Sequence, residues 1–244
     1  MALILNLETA TTVCSVSIAR DGVLLALKEQ NGDYSHAENL TLFIEDALQQ
    51  SHISFSDLDA VAVSKGPGSY TGLRIGVSTA KGLCYALNKP LIAVNTLEQL
   101  TLGVLESFKA GDIKSGKATP DVPSFFCPML DARRMEVYCA LYDSELRNIY
   151  PVSAEIVDEY FFDKIIDQEN KANCRVYFFG DGASKCKKIV SVNVNAFFIS
   201  DVIPSAKNMI SLSEKAFTNK QFEDIAYFEP FYLKDFVAGK KKIK

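Results

Sequence analysis

The sequence contains no tryptophan and only two histidines, His36 and His52, among its 244 residues. These histidines are too far apart to form the pair one helical turn apart that holds a metal on one helix face. The chain also lacks a G-x-S-x-G nucleophile elbow, and Ser64 and Ser69 have no histidine at a spacing typical of a catalytic pair. We therefore predict no metal site and no catalytic residue.

Apolar runs as long as a membrane span are absent, and the start MALILNLET lacks the basic region of a signal peptide. With 48% hydrophobic and 23% charged residues, the composition is that of a globular protein. We expect a cytoplasmic protein without a membrane partner. No C-x-x-C pair occurs, so we expect six reduced core cysteines: Cys14, Cys84, Cys127, Cys139, Cys174 and Cys186.

A basic stripe is also absent from the body of the chain, and the formal net charge is −4. Nucleic-acid affinity comes largely from lysine and arginine that neutralise phosphates. The one basic run is the tail with Lys240, Lys241, Lys242 and Lys244, which we interpret as a solvated end, with an RNA contact as the alternative. We predict that the chain alone does not bind tRNA.

The central stretch of the sequence runs from Asp59 to Pro90 and predicts a strand, a tight turn at Gly66-Pro67-Gly68, and a helix. A helix start after glycines can bind an anion, because its first N–H groups are unpaired. The spacing fits neither a P-loop nor a dinucleotide motif, whose third glycine would fall on Thr71 rather than Gly72. An anion cradle and a plain strand-to-helix turn both stay open.

The helix that follows is apolar over most of its circumference, so it must be covered on two sides. One face has Leu73, Val77, Ala80, Cys84 and Leu87, and only Arg74, Ser78, Lys81 and Tyr85 are left for water. Glycines within a helix indicate close approach of a neighbouring helix, from this chain or from a second protein. The second face consists of Gly72, Ile75, Gly76, Thr79, Gly82, Leu83 and Ala86.

A capping box at Ser35 and Glu38 predicts another helix from His36. Its core face would have Ala37, Leu40, Ile44, Ala47 and Leu48, which leaves Leu42 and Phe43 off the core among Asn39, Asp46 and Gln50. Two apolar residues off the core face are a signal of an interface, although single exposed apolar residues are also common.

The remaining chain predicts a repeated pattern of strands and turns. Three strands lie within residues 3–29, a capping box at Thr96 and Gln99 opens a helix, and a Gly-, Lys- and Pro-bearing loop spans residues 109–123. After the loop, a strand ends at Asp131 where the first strand ended at Glu8. We predict an N-terminal subdomain (1–108), the connecting loop (109–123), a C-terminal subdomain (124–235) whose last part packs back on the first, and a basic tail (236–244).

Four motifs in order resemble the bacterial TsaB (YeaZ) family: GPGSYTGLRIG followed by KGL, LDARRMEVY, FGDGA and EPFYLKD. The resemblance covers nearly the whole chain. It implies an α/β fold of the ASKHA type (actin, Hsp70 and sugar kinase-like, a duplicated RNase H-like fold) with two subdomains. It further implies a non-catalytic subunit that dimerises with a TsaD-type transferase and supports threonylcarbamoylation of the tRNA adenosine next to the anticodon.

The resemblance also implies partners. These are the TsaD-type subunit, a TsaE-type ATPase in the same complex, and a second copy of the chain when TsaD is absent. The residues assign no cofactor and leave ATP or ADP open at or near the heterodimer interface. We place that interface on the helices beginning at His36 and Tyr70, with His36, Asn39, Leu42, Phe43, Asp46, Gly72, Ile75, Gly76, Thr79, Gly82, Leu83 and Ala86.

Two positions leave alternatives open. Glu8 stands where ASKHA proteins usually have an aspartate that manages nucleotide phosphates, so it serves either phosphate chemistry or the turn of Thr9, Thr11 and Thr12. FGDGA either cradles an adenosine, as in relatives, or forms a simple turn with Asp181 unpartnered. The alternative functions are a free-standing ATP-using ASKHA enzyme and a dinucleotide-binding domain.

Overall fold

The computed structural model describes residues 2–32, 36–113, 122–166, 173–191, 193 and 195–234. Its first sheet has the order β3-β2-β1-β4-β5, with β1 Leu3–Glu8, β2 Val13–Arg20, β3 Val23–Asn31, β4 Ala60–Gly66 and β5 Leu91–Asn95. Its second sheet has the order β10-β9-β6-β7-β8, with β6 Ser124–Asp131, β7 Glu136–Asp143, β8 Asn148–Ile156, β9 Arg175–Phe179 and β10 Ala196–Phe198. The helices are α1 His36–Gln50, α2 Tyr70–Leu87, α3 Thr96–Ala110, α4 Phe161–Ile165, α5 Ala183–Val190 and α6 Ile210–Thr218, with 3-10 turns at Phe55–Asp57 and Ala206–Met209.

The two sheets share one topology. In the first, β1, β2 and β3 are antiparallel neighbours, whereas β4 and β5 run parallel to β1. In the second, β6, β7 and β8 are antiparallel, whereas β9 and β10 run parallel to β6. This repetition confirms the predicted duplicated α/β fold, and the Asp21-Gly22 turn between β2 and β3 has the positive φ angles of 53° and 75° typical of a tight hairpin.

Each sheet is covered by helices on both faces. In the first sheet, β1 packs Leu3, Leu5 and Leu7 against α1 and α2, and its opposite face packs against the C-terminal segment with Ala206 and Met209. Helix α3 instead packs its apolar face on the second sheet. The C-terminal segment therefore packs back on the first sheet, and α3 joins the two halves.

Helix α1 begins at His36 as predicted, and Leu40, Ile44, Ala47 and Leu48 are buried. The placement of Ala37 in the core is wrong, because Ala37 is exposed and Leu40 is the first buried residue of the helix. Ser35 lies outside the described residues, as do residues 114–121 of the predicted connecting loop and the tail from residue 235 onward.

Helix α3 begins at Thr96, but the capping box predicted there is wrong. Asn95 is the N-cap, and its side chain accepts hydrogen bonds from the backbone N–H groups of Leu97 (2.9 Å) and Glu98 (3.2 Å). The side chain of Thr96 instead forms a hydrogen bond with Ser64, and that of Gln99 donates to Glu8. Residues that look like a cap in sequence are thus parts of a buried polar network.

All six cysteines are buried and none forms a disulfide, which confirms their assignment to the core. Among the described helices, none is both long and apolar enough to cross a membrane.

Candidate functional site

The glycine turn before α2 is filled by the chain's own backbone. A Cβ on Gly68 would lie 2.3 Å from the carbonyl oxygen of Ala10, and the N–H of Ser69 donates to that oxygen at 2.6 Å. The Ser69 side chain accepts from the N–H of Gly72 at 3.3 Å. Because the turn packs directly on the segment between β1 and β2, the geometry favours a plain turn over an anion cradle.

Glu8, at the end of β1, is completely buried and bonded within the chain. Its Oε1 accepts from the N–H of Ala10 at 2.5 Å, and its Oε2 accepts from Nε2 of Gln99 on α3. Burial raises the pKa of Glu8 from 4.5 to about 7, although hydrogen bonds from Ala10, Ser64 and Gln99 oppose this shift. The carboxyl group is therefore enclosed by groups of the same chain.

The prediction that Gly72 and Gly76 are open to a partner helix is wrong. A Cβ on Gly72 would lie 2.1 Å from the carbonyl oxygen of Thr9, and one on Gly76 would lie 2.2 Å from Thr9 Oγ1. The Thr9 hydroxyl also donates to the carbonyl of Gly72 at 2.8 Å. These glycines let α2 approach the turn after β1, so the close neighbour is a loop of the same chain.

The other residues of that face stay accessible. No atom of the described residues lies within 4 Å of a Cβ built on Gly82, and Ala86 is exposed. Ile75, Thr79 and Leu83 are half-buried, with Ile75 and Leu83 packed against the edge of the first core. The interface prediction therefore still stands for the C-terminal part of this face of α2, where Gly82 and Ala86 are accessible to solvent.

Helix α1 packs beside α2 on the same face of the first sheet. Leu42 is 56% exposed, Phe43 is half-buried against the core, and Asn39 is half-buried. Asp46 is exposed and lies 3.9 Å from the ammonium of Lys28. The structure thus brings both predicted helices together, and their assignment to a partner interface stays a prediction.

His36 lies at the start of α1 with Nε2 2.7 Å from the carbonyl oxygen of Thr11. Within the described ranges, no group of three or more histidine, cysteine, aspartate or glutamate side chains is placed so that it could hold a metal.

Residues 224–234 run along α2; the sequence predicted that the last part of the chain packs back on the first subdomain, but not which element it contacts. Lys81 was predicted to face water, but its ammonium donates to the carbonyls of Ala226 (3.3 Å) and Phe228 (2.9 Å). The N–H of Phe231 donates to the carbonyl of Lys65 at 2.7 Å. The EPFYLKD motif was the available signal, but it does not indicate which element it contacts.

The second glycine turn repeats the arrangement of the first. A Cβ on Gly180, whose φ is 97°, would lie 2.4 Å from the carbonyl oxygen of Met129. The view of Asp181 as unpartnered is wrong, because its Oδ1 accepts from the N–H of Asp131 at 2.9 Å. Lys185 of α5 binds the carboxylate of Asp131. The simple-turn interpretation of FGDGA is therefore the one that the contacts favour.

Residues 31–242 match the family model described as TsaD: tRNA N6-adenosine threonylcarbamoyltransferase. A curated relative, the tRNA threonylcarbamoyladenosine biosynthesis protein TsaB of Escherichia coli (strain K12), is 27% identical over 240 residues, covering 98% of this chain and 97% of that protein. The solved structure of YeaZ from Pseudomonas aeruginosa has a TM-score of 0.77 at 23% identity and covers 96% of this chain and 100% of that one, so the two chains share one fold. A tRNA N6-adenosine threonylcarbamoyltransferase of Clostridium kluyveri is 48% identical over 63 residues, 26% of this chain and 18% of that protein.

Proposed function

Since the chain belongs to the family of the TsaD model and, within it, to the TsaB (YeaZ) proteins, we propose that it acts in threonylcarbamoyladenosine biosynthesis on tRNA. In this proposal it is the non-catalytic subunit that dimerises with a TsaD-type transferase. The reaction modifies the adenosine next to the anticodon, and the reacting groups belong to the partner.

The observation that carries the non-catalytic role is the enclosure of Glu8. A carboxylate that manages phosphates or magnesium must reach the ligand, but both oxygens of Glu8 are engaged by Ala10 and Gln99 in a site closed to solvent. The glycine turn beside it is occupied by the backbone of Ala10. A free-standing ATP-using enzyme would need this region open, so the subunit role is favoured.

The interface is proposed on the exposed parts of α1 and α2. Leu42 presents an apolar side chain to solvent, and Gly82 with Ala86 leaves a shallow surface on which a partner helix can approach closely. The transferase shares a stretch of closely similar sequence with this chain, as the Clostridium kluyveri relative illustrates. Related surfaces can pair with each other, so a homodimer through the same helices is proposed when the transferase is absent.

A TsaE-type ATPase is proposed as a further member of the complex. No cofactor is assigned to this chain, and ATP or ADP is proposed at or near the heterodimer interface. Neither proposal is needed for the pairing itself.

Association with the transferase of the same organism tests the proposal, measured by sedimentation velocity. The Leu42→Asp and Gly82→Arg variants should each weaken the heterodimer at least tenfold, because charge or bulk in a packed helix contact is costly. Ile149→Asp, at a 44% exposed apolar residue of β8 in the other sheet, is the matched control and should associate like the wild type. Unchanged association of both helix variants would place the interface elsewhere.

A further inference from the structure

Cationic side chains that are scattered in sequence come together at one end of the molecule. They lie near the carboxyl ends of β4 and β6, beside residues 228–234 of the chain. We call this surface the basic band and define it by Arg74, Arg133, Arg134, Lys185 and Lys234, together with the rings of Tyr70 and Tyr232.

Contacts link the members of the band into one surface. The Arg74 guanidinium lies 5.2 Å from the centroid of the Tyr70 ring, and that ring lies 4.9 Å from the ring of Tyr232. Two residues further along the chain, Lys234 binds the carboxylate of Glu136. Glu136 in turn closes the turn of Arg133 and Arg134, since its N–H donates to the carbonyl of Arg133 at 3.2 Å.

Within the part of the chain that the structure describes, some of the band's cations have an ion-pair partner and others do not. Lys185 and Lys234 are paired with Asp131 and Glu136. Arg74, Arg133 and Arg134 are exposed, and no carboxylate of the described residues lies within ion-pair distance of any of these three. On a chain whose net charge is −4, three guanidiniums that have no carboxylate partner among the described residues lie beside two aromatic rings.

The backbone at the tip of the band is unfavourable for arginine. Arg133 and Arg134 have φ angles of 70° and 49°, in the left-handed region that glycine and asparagine occupy with less strain. Both side chains point away from any core, because both residues are exposed. Packing therefore does not explain arginine at these two positions, and its charge remains as the explanation.

We propose that the basic band binds the phosphate backbone of the tRNA when this chain is assembled with the transferase. Arg133 and Arg134 contact phosphates, and Tyr232, which is partly exposed above Tyr70, offers a face on which an unstacked base can lie. Arginine next to aromatic rings is the chemistry that binds RNA single strands and loops. Phosphates complement the arginine charges, and tRNA is the substrate of the proposed reaction, so RNA is the occupant that the charges favour.

This inference rests on the proposed function, because it names the surface of the complex that meets the substrate. The test uses the full-length chain with its transferase and an unmodified tRNA transcript. The double variant Arg133→Asn, Arg134→Gly removes two charges and places in the turn the residues that it accommodates best. The control, Lys207→Gln with Lys220→Gly, also removes two exposed charges, one of them from a residue with φ of 54°, at the α6 end of the chain.

Three measurements separate the possible failures. Sedimentation should show that the double variant associates with the transferase like the wild type, and thermal melting should show an equal or higher Tm. The affinity of the complex for tRNA should fall about 20-fold at 0.15 M salt, and the slope of log K against log salt should shrink by about 1.6, as expected for two lost phosphate contacts. The control should change the affinity less than about twofold.

Other results would contradict either the RNA site on the basic band or the proposed function. Normal association with unchanged tRNA affinity, or an equal loss in the control, contradicts the basic band as an RNA site. Lost association in the double variant assigns the band to a protein partner and also contradicts it. If the wild-type chain does not associate with the transferase at all, the proposed function fails and this inference fails with it.

Discussion

Substitution of Glu8 by glutamine should make the protein's stability less dependent on pH. Glu8 is fully buried and its pKa is raised to about 7 by desolvation, whereas in the unfolded chain it titrates near 4.5. Between these two values the folded state therefore binds the proton and the unfolded state does not. Stability falls as pH rises through this window and stays low above it.

The magnitude follows from the difference between the two pKa values. A shift of this size corresponds to about 3 kcal/mol of lost stability between pH 4.5 and pH 7. Glutamine at position 8 keeps the acceptor for the N–H of Ala10, but either its amide or that of Gln99 must turn, which costs about 1 kcal/mol at every pH. The quantity to measure is therefore how the difference in free energy of unfolding between the variant and the wild type changes with pH.

Urea denaturation of the wild type and Glu8→Gln at pH 5, 6, 7 and 8 provides this measurement. The stability of the variant relative to the wild type should increase by about 2–3 kcal/mol from pH 5 to pH 8. Glu45→Gln, at an exposed glutamate of α1, should show no such trend. A pH-independent difference between Glu8→Gln and the wild type would refute the idea that Glu8 carries a burial cost.

Three further predictions concern the glycine helix, the cap of α3 and activity. In the same urea denaturation assay, Gly72→Ala should destabilise the monomer by about 1–3 kcal/mol, because its Cβ would lie 2.1 Å from the Thr9 carbonyl oxygen. Gly82→Ala should be neutral or stabilising by up to about 1 kcal/mol, because its Cβ would meet no described atom within 4 Å. Asn95→Ala should cost about 1 kcal/mol, since two backbone N–H groups lose their acceptor; a loss below about 0.3 kcal/mol would contradict this capping role. The purified chain alone should show negligible ATP hydrolysis and no tRNA modification, and turnover that disappears with Glu8→Ala would contradict the subunit proposal.

Local patterns predicted the elements well because their signals are local. The three strands within residues 3–29 and the buried spacing of α1 each depend on a few neighbouring residues. The duplicated sheets followed from the repeated order of strands and from the resemblance.

Long-range contacts could not be read in the same way. The small face of α2 predicted a closely packed helix, but the neighbour is Thr9 in the turn after β1, more than sixty positions away in sequence. Thr96 and Gln99 match a capping box, yet the fold uses them to bind Ser64 and Glu8. A short motif determines which hydrogen-bonding groups a residue has, whereas the fold determines which residue lies next to them.

The proposed subunit role is tested by an assay of threonylcarbamoyl transfer to tRNA. The transferase of the same organism is assayed alone, with this chain, and with the Leu42→Asp, Gly82→Arg double variant, and the isolated chain is assayed in parallel. The account predicts that transfer requires both subunits and that the double variant does not restore it. A transferase equally active without this chain, or transfer by the isolated chain, would contradict the account.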